Sequence, residues 1–150
     1  MNNKIVKIKI KGILPTENGF VIFLGTETKT FFICIDSIIG QTIIKIIKNE
    51  NENFQQILSY NLILSILKGI NGAIAKIIIN DIRQEIFYSS IFVEIKDRLV
   101  RKILEVEADI INAIIISIIN KLPLYINQNI LDSTKDVSDI LKKIIKKENR

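Results

Sequence analysis

Few side chains in this sequence can do acid–base, nucleophilic or metal chemistry. The 150 residues include no histidine, so the commonest general base and metal ligand is absent, together with every Ser-His-Asp or Cys-His arrangement. A single cysteine, Cys34, cannot form an internal disulfide or a zinc site built from several thiolates. Its apolar neighbours in residues 31–35 predict a strand in which the thiol is buried and inert.

Basic side chains are the second chemically informative group, because the net charge of +5 is unevenly distributed. They form three clusters, which are Lys142, Lys143, Lys146, Lys147 and Arg150 in the last helix, Arg98, Arg101 and Lys102 in one strand, and Lys4, Lys7, Lys9 and Lys11 in the first strand. Such clusters attract phosphate backbones through counterion release, which makes RNA or DNA a predicted partner. The alternative is that each cluster is only a solvated strand face or helix end, and this alternative stays open.

Hydrophobic periodicity predicts the elements that position these groups. Residues 6–48 and 75–121 each read as strand, turn, strand, short strand and an apolar helical segment that suits a helix lying on a sheet. Two copies are too few for a stacked solenoid, so we expect one compact domain built from two duplicated β-β-β-α units. A linking helix over residues 54–68 joins the units, and residues 138–147 predict an amphipathic closing helix.

Neither the N-terminus nor the longest apolar run is typical of an export or membrane segment. The first ten residues alternate lysine with apolar residues, whereas a signal peptide needs an unbroken apolar centre. The run at residues 110–119 contains Asn112 and Ser117 and is well short of the ~20 residues that a membrane span requires. The sequence therefore predicts a cytoplasmic protein with no membrane partner.

The order of elements and several short motifs resemble the bifunctional nuclease domain family. The motifs are residues 81–89 (DIRQEIFYS), Ala113-Ile114, residues 122–126 (LPLYI) and Ile130-Leu131. The resemblance implies an α+β domain with a mixed β-sheet and packed helices, which is commonly dimeric and cuts both RNA and DNA. We therefore expect a nuclease-like domain at residues 1–132, followed by a basic C-terminal helix or tail at residues 133–150.

Several motifs of that family are altered in this sequence. Where the family has threonine-histidine-aspartate-leucine on the linking helix, this chain has residues 59–62 (SYNL). Where the family has aspartate-alanine-arginine-proline-serine-aspartate-alanine, this chain has residues 107–113 (EADIINA). Among the ionisable groups of these motifs only Glu107 keeps its character, and the family's arginine is replaced by Asp109, which would repel a phosphate.

The resemblance also implies which residues would form a surviving active site. They are Glu107, Asp109, Asn112 and Asn61, with Ser59 and Tyr60 as hydrogen-bonding neighbours. Metal-assisted phosphodiester cleavage needs hard oxygen ligands for Mg²⁺ or Mn²⁺, so Glu107 and Asp109 are the expected metal ligands. In the alternative interpretation, Glu107 and Asp109 are solvated residues before a helix and Asn112 is the helix N-cap.

Two functions are therefore compatible with the sequence. The first is a metal-dependent nuclease that acts on RNA and DNA through the altered site, and that binds its substrate through the basic residues. The expected nucleic-acid-binding residues are Lys142, Lys143, Lys146, Lys147, Arg98, Arg101 and Lys102. The alternative is a catalytically inactive module of the same fold that binds nucleic acid or a protein, with a homodimer or another homo-oligomer as the expected assembly.

Overall fold

A computed structural model of the chain describes residues 4–48 and 55–148, and for residues 55–58 it describes the backbone alone. The strands are β1 (Ile5–Thr16), β2 (Gly19–Gly25), β3 (Thr30–Ile35), β4 (Gly72–Arg83), β5 (Ile86–Lys96), β6 (Arg101–Asp109) and β7 (Leu124–Asn127). The helices are α1 (Ser37–Ile47), α2 (Gln55–Gly69), α3 (Ile110–Asn120), α4 (Gln128–Ser133) and α5 (Ser138–Glu148). None of these helices is long and apolar enough to cross a membrane.

All seven strands form one mixed sheet in the order β3-β2-β1-β7-β4-β5-β6. The paired strands are antiparallel except for β4 and β7, which are parallel. The short strand β7 joins the two halves, because Val6 of β1 and Ile79 of β4 both lie opposite Ile126. The predicted α+β fold is confirmed, and the elements follow the predicted β-β-β-α order twice with α2 between them. The common origin of the two units by duplication stays a prediction.

The main core lies between one face of this sheet and the helices α1 and α3. Its side chains with no solvent exposure are Ile22, Leu24, Ile43, Ile77, Ile79, Ala113 and Ile126. Residues 113–116 of α3 are all buried, as predicted for a helix that is apolar on nearly every side. Each large apolar side chain buried in this way contributes about 1.5–3 kcal/mol, so α3 is a rigid support for the residues at its N-terminus.

The last helix, α5, covers the opposite face of the sheet. Phe23 alternates with the core residues of β2 and packs against Val137 and Leu141. Asp136 fixes the start of the helix, because its Oδ1 accepts hydrogen bonds from Thr30 N at 3.1 Å and from Ser138 Oγ at 2.5 Å. Both bonds lower the pKa of Asp136, to about 2, and the bond from Ser138 has the larger effect. The proposed division of the chain at residue 132 stays a prediction, although α5 packs on the sheet.

Three local features differ from the sequence predictions. Cys34 was expected to be buried, and this is wrong: the residue is exposed, because it lies on the edge strand β3 and alternates with the buried Ile33 and Ile35. Pro15 and Gly19 are typical of a turn and predict one over residues 15–19, but β1 continues to Thr16, so the turn before β2 is shorter. Residues 128–133 form the short helix α4, which the sequence did not indicate.

Candidate functional site

A chain of hydrogen bonds links Asp109, Asn112 and Tyr60 where β6 passes into α3. The Oδ1 atom of Asp109 accepts a bond from the backbone N–H of Asn112 at 2.8 Å, and its Oδ2 accepts one from Asn112 Nδ2 at 3.1 Å. The hydroxyl of Tyr60, on α2, donates to Oδ1 of Asn112. Asp109 is therefore the N-cap of α3, and the alternative in which Asn112 has that role is wrong.

The hydroxyl of Tyr60 is a hydrogen-bond donor in this chain. Partial burial raises the pKa of Tyr60, and the nearby negative charge of Asp109 raises it further. The phenol therefore stays protonated at neutral pH and is suited to donating a hydrogen bond rather than to acting as a general base.

The second carboxylate, Glu107, lies two residues earlier on β6 and is bound by an arginine from β4. Arg83 Nη2 lies 2.9 Å from Glu107 Oε1, and Arg83 Nε lies 3.1 Å from Asp81 Oδ2. The Arg83 guanidinium carbon also lies 3.7 Å from the centroid of the Tyr88 ring. The hydrogen bond that Arg83 donates to Glu107 raises the pKa of Arg83, so the guanidinium stays charged over the whole physiological pH range.

Sequence reasoning assigned no function to Arg83, although the residue lies within the motif at residues 81–89. The sequence signal was the motif itself, but the partner of Arg83 is 24 positions away on another strand. Only the pairing of β4 with β5 and of β5 with β6 brings the two residues together. Among the expected site residues, the structure thus joins Asp109, Asn112 and Tyr60 by hydrogen bonds and connects Glu107 to Arg83.

Ser59 and Asn61 lie on both sides of Tyr60 on α2 and are exposed. Adjacent helical residues point in directions about 100° apart, so the helix that directs Tyr60 toward Asn112 directs its two neighbours elsewhere. No hydrogen bond joins Asn61 to Asp109 or Asn112 within the part of the chain that the structure describes. The roles expected for Ser59 and Asn61 stay predictions.

The donor groups of this site do not fit a divalent metal ion. Mg²⁺ and Mn²⁺ need several oxygen ligands, of which carboxylates supply the compensating charge. Within residues 4–48 and 55–148, no three histidine, cysteine, aspartate or glutamate side chains come close enough to hold a metal. Glu107 is already paired with Arg83, and Asp109 already caps α3.

A groove of about 640 Å³ opens beside this site, between β3 and the hairpin of β4 and β5. Asp109 and Ile111 line one side, and Glu85 and Lys135 contribute charged groups to an otherwise largely apolar wall. Asp109 is therefore accessible to a solute from the groove, although its oxygens are hydrogen-bonded.

The basic residues expected to bind nucleic acid do not share one surface. Lys142, Lys143, Lys146 and Lys147 are all exposed on α5. The sequence suggested that the other three basic residues cluster on one strand, but they do not. Arg98 lies in the turn before β6, whereas Arg101 and Lys102 lie on β6 itself, where consecutive side chains point to opposite faces. Arg101 is also paired with Glu94, at 2.8 Å between Nε and Oε1.

The capping role of Asp109 can be measured directly. We expect Asp109→Ala to lower the free energy of unfolding by about 1 kcal/mol, because α3 loses its N-cap. We expect Asp109→Asn to have a much smaller effect, since asparagine caps helices as well as aspartate does. The asparagine variant should also lower the pKa of Tyr60, because it removes a negative charge nearby. Urea denaturation and alkaline absorbance titration would measure the two quantities, and equal stability of both variants would contradict the capping role.

Comparison with known proteins assigns most of the chain to a family. The family model for the bifunctional nuclease domain matches residues 21–139, from within β2 to the start of α5. No curated protein matches the sequence closely enough to count as a relative.

Proposed function

This chain belongs to the bifunctional nuclease domain family, and on that basis we propose that it binds RNA or DNA without metal-dependent turnover. One observation carries the second half of this proposal: both expected metal-ligating carboxylates already have other structural partners. Glu107 is bound to Arg83, and Asp109 caps α3. A metal ion would have to bind next to a positively charged guanidinium at the first and compete with a helix N-terminus for the second.

The binding half of the proposal is supported by the family and by the distribution of charge. The chain carries a net charge of +5, and α5 presents four exposed lysines on a helix that is anchored to the sheet by Leu141. A helix fixed in this way holds its cations in place, so that they neutralise phosphates without a large loss of conformational entropy. The proposal includes a cytoplasmic location, which cell fractionation would test.

The proposed function is tested by titrating fluorescein-labelled single-stranded RNA and DNA with the protein at several salt concentrations. Anisotropy should show binding at low salt, and the logarithm of the association constant should fall linearly with the logarithm of salt concentration, by about 0.7 for each phosphate contacted. Absence of binding to both oligonucleotides at low salt would overturn the proposal.

Metal-dependent cleavage is a second candidate, because the family is one of nucleases and Asp109 lies beside an open groove. It requires Glu107 and Asp109 to rearrange from their present contacts before they could hold a metal ion. Mg²⁺ or Mn²⁺ would be its cofactor. This candidate predicts cleavage that stops with EDTA and falls sharply in Glu107→Gln and Asp109→Asn. Cleavage at an unchanged rate in both variants would count against it.

We also propose that the protein forms a homodimer or another homo-oligomer. Two exposed apolar surfaces support this: α2 presents Leu62, Ile63 and Ile66, and the edge strand β6 presents Leu104 and Val106. Exposed apolar surfaces and unpaired strand edges favour association between copies. Size-exclusion chromatography with light scattering at micromolar concentration would show at least twice the chain mass, and a monomer would contradict the proposal.

A further inference from the structure

Three aromatic residues share the outward face of the second half of the sheet. Tyr88 and Phe92 lie on β5, on both sides of Ser90, and Tyr125 lies on β7. Ile78 of β4 is the register partner of both Ser90 and Tyr125, so these strands present the same face at that row. Residues two apart on a strand point the same way, which places Tyr88, Phe92 and Tyr125 together. These three residues form the aromatic face.

The aromatic face is not covered by a helix within the described residues. The helices that contact β4, β5 and β7 do so from the opposite side, where Leu67 of α2, Ile114 of α3 and Leu131 of α4 belong to the main core. Of the other two helices, α1 belongs to the main core through Ile43, and α5 packs on β1 and β2 around Phe23. The aromatic rings are accordingly only partly buried.

The clearest feature of the aromatic face is the stacked pair of Arg83 and Tyr88. The guanidinium carbon lies 3.7 Å from the ring centroid, and Asp81 and Glu107 hold the guanidinium at its edge. The Arg83 side chain nevertheless remains 49% exposed. One guanidinium plane is therefore fixed in place on an aromatic ring and still accessible to a ligand.

The charges around this pair decide which part of a nucleic acid it can bind. Arg83, Asp81 and Glu107 together carry a net negative charge, and two of the guanidinium N–H groups already bind carboxylates. A phosphate is therefore disfavoured here, because it would add negative charge to a group that is already net negative. An unpaired base is favoured, because bases stack on guanidinium planes and on aromatic rings.

Lysines beside Tyr125 supply the positive charge that the Arg83 pair lacks. Lys76 Nζ lies 5.4 Å from the Tyr125 ring centroid, and Lys76 is also the register partner of Phe92. Lys7 of β1 is the register partner of Tyr125. Neither lysine has a carboxylate partner in the described part of the chain, so both can bind phosphates.

We propose that the aromatic face binds single-stranded RNA or DNA, with one unpaired base stacked on the Arg83–Tyr88 pair and the neighbouring phosphates bound by Lys76 and Lys7. This inference rests on the proposed function and adds the location and the strandedness of the ligand. Paired bases in a duplex are stacked on one another and cannot reach the surface, so single strands are preferred over duplexes of the same sequence.

The test measures binding of a labelled single-stranded oligonucleotide, and of the same sequence as a duplex, to variants of the stacked pair. Tyr88→Leu removes the ring, and Arg83→Lys keeps the charge but removes the guanidinium plane. Each should weaken single-strand binding by about 10-fold while leaving the salt dependence unchanged, because no phosphate contact is lost. Each should also reduce the preference for the single strand over the duplex.

Phe32→Leu is the matched control, because it removes an exposed ring from the other half of the sheet. It should bind as the wild type does, and circular dichroism should confirm that all the variants are folded. If the wild type binds but Tyr88→Leu and Arg83→Lys bind equally well, this inference is overturned and the proposed function stands. If those variants change the mass of the protein in solution and not its binding, the aromatic face is a protein contact instead. If the wild type binds no oligonucleotide, both proposals are overturned.

Discussion

Replacing Lys142, Lys143, Lys146 and Lys147 by glutamine should weaken binding to single-stranded RNA by about 100-fold at low salt. The same variant should show a flatter salt dependence, with the slope reduced by up to about 3, because each lost phosphate contact removes about 0.7. The four lysines are exposed, and the packing of α5 depends on Val137 and Leu141, so the fold should not change. Anisotropy at four or more salt concentrations would measure both effects.

The control for this variant removes lysines from other surfaces. These lysines are exposed: Lys48 follows α1, Lys68 lies in the last turn of α2, and Lys121 follows α3. Their replacement by glutamine lowers the net charge by a comparable amount but should change the affinity by only a few-fold. Equal losses in the two variants would mean that binding depends on the overall charge and not on α5.

Replacing Gly25 by alanine should destabilise the protein by about 3 kcal/mol, through backbone strain and a steric clash. Gly25 ends β2 with a φ of +155°, and a Cβ atom there would lie 2.0 Å from the carbonyl oxygen of Lys29. That oxygen accepts the hydrogen bond from Thr26 that closes the turn before β3, so it cannot move without breaking the turn. The next residue after Lys29 is Thr30, whose backbone N–H donates a hydrogen bond to Asp136 just before α5. A shift of the turn would therefore also disturb the start of α5.

The control for this effect is Gly69→Ala, because a Cβ atom at Gly69 would have no neighbour within 4 Å. Alanine there should be neutral or should stabilise α2 by up to about 1 kcal/mol. Urea denaturation would measure both variants. A Gly25→Ala variant as stable as Gly69→Ala would show that the turn between β2 and β3 is not as tight as described, and that α5 is not anchored through it.

The sequence predicted the helices and strands of this protein better than it predicted which strands pair with each other. Periodicity located both β-β-β-α units, the linking helix and α5, because each depends on the spacing of apolar residues along a short segment. It did not indicate that β7 lies between β1 and β4, since the order of strands depends on contacts between distant segments. Cys34 illustrates the consequence: its apolar neighbours suggested burial, but the position of β3 at the sheet edge leaves it exposed.

The candidate site shows the same limit. The family resemblance identified Asp109, Asn112 and Tyr60, and the structure joins these three by hydrogen bonds. The resemblance did not identify Arg83, because the contacts of Arg83 with Glu107 and Tyr88 depend on the register between β4, β5 and β6. An ion pair that occupies a carboxylate changes what that carboxylate can bind, and spacing along one strand cannot reveal it.

The most direct test of binding without turnover is a cleavage assay on labelled single-stranded RNA and DNA under conditions where binding has been shown. The reactions would contain Mg²⁺, Mn²⁺ or EDTA, with the wild type and with the Glu107→Gln, Asp109→Asn double variant. We expect bound but intact oligonucleotides, with the same low background in every reaction. Metal-dependent cleavage by the wild type that is lost in the double variant would contradict the proposal and establish the second candidate, a working nuclease site built on Glu107 and Asp109.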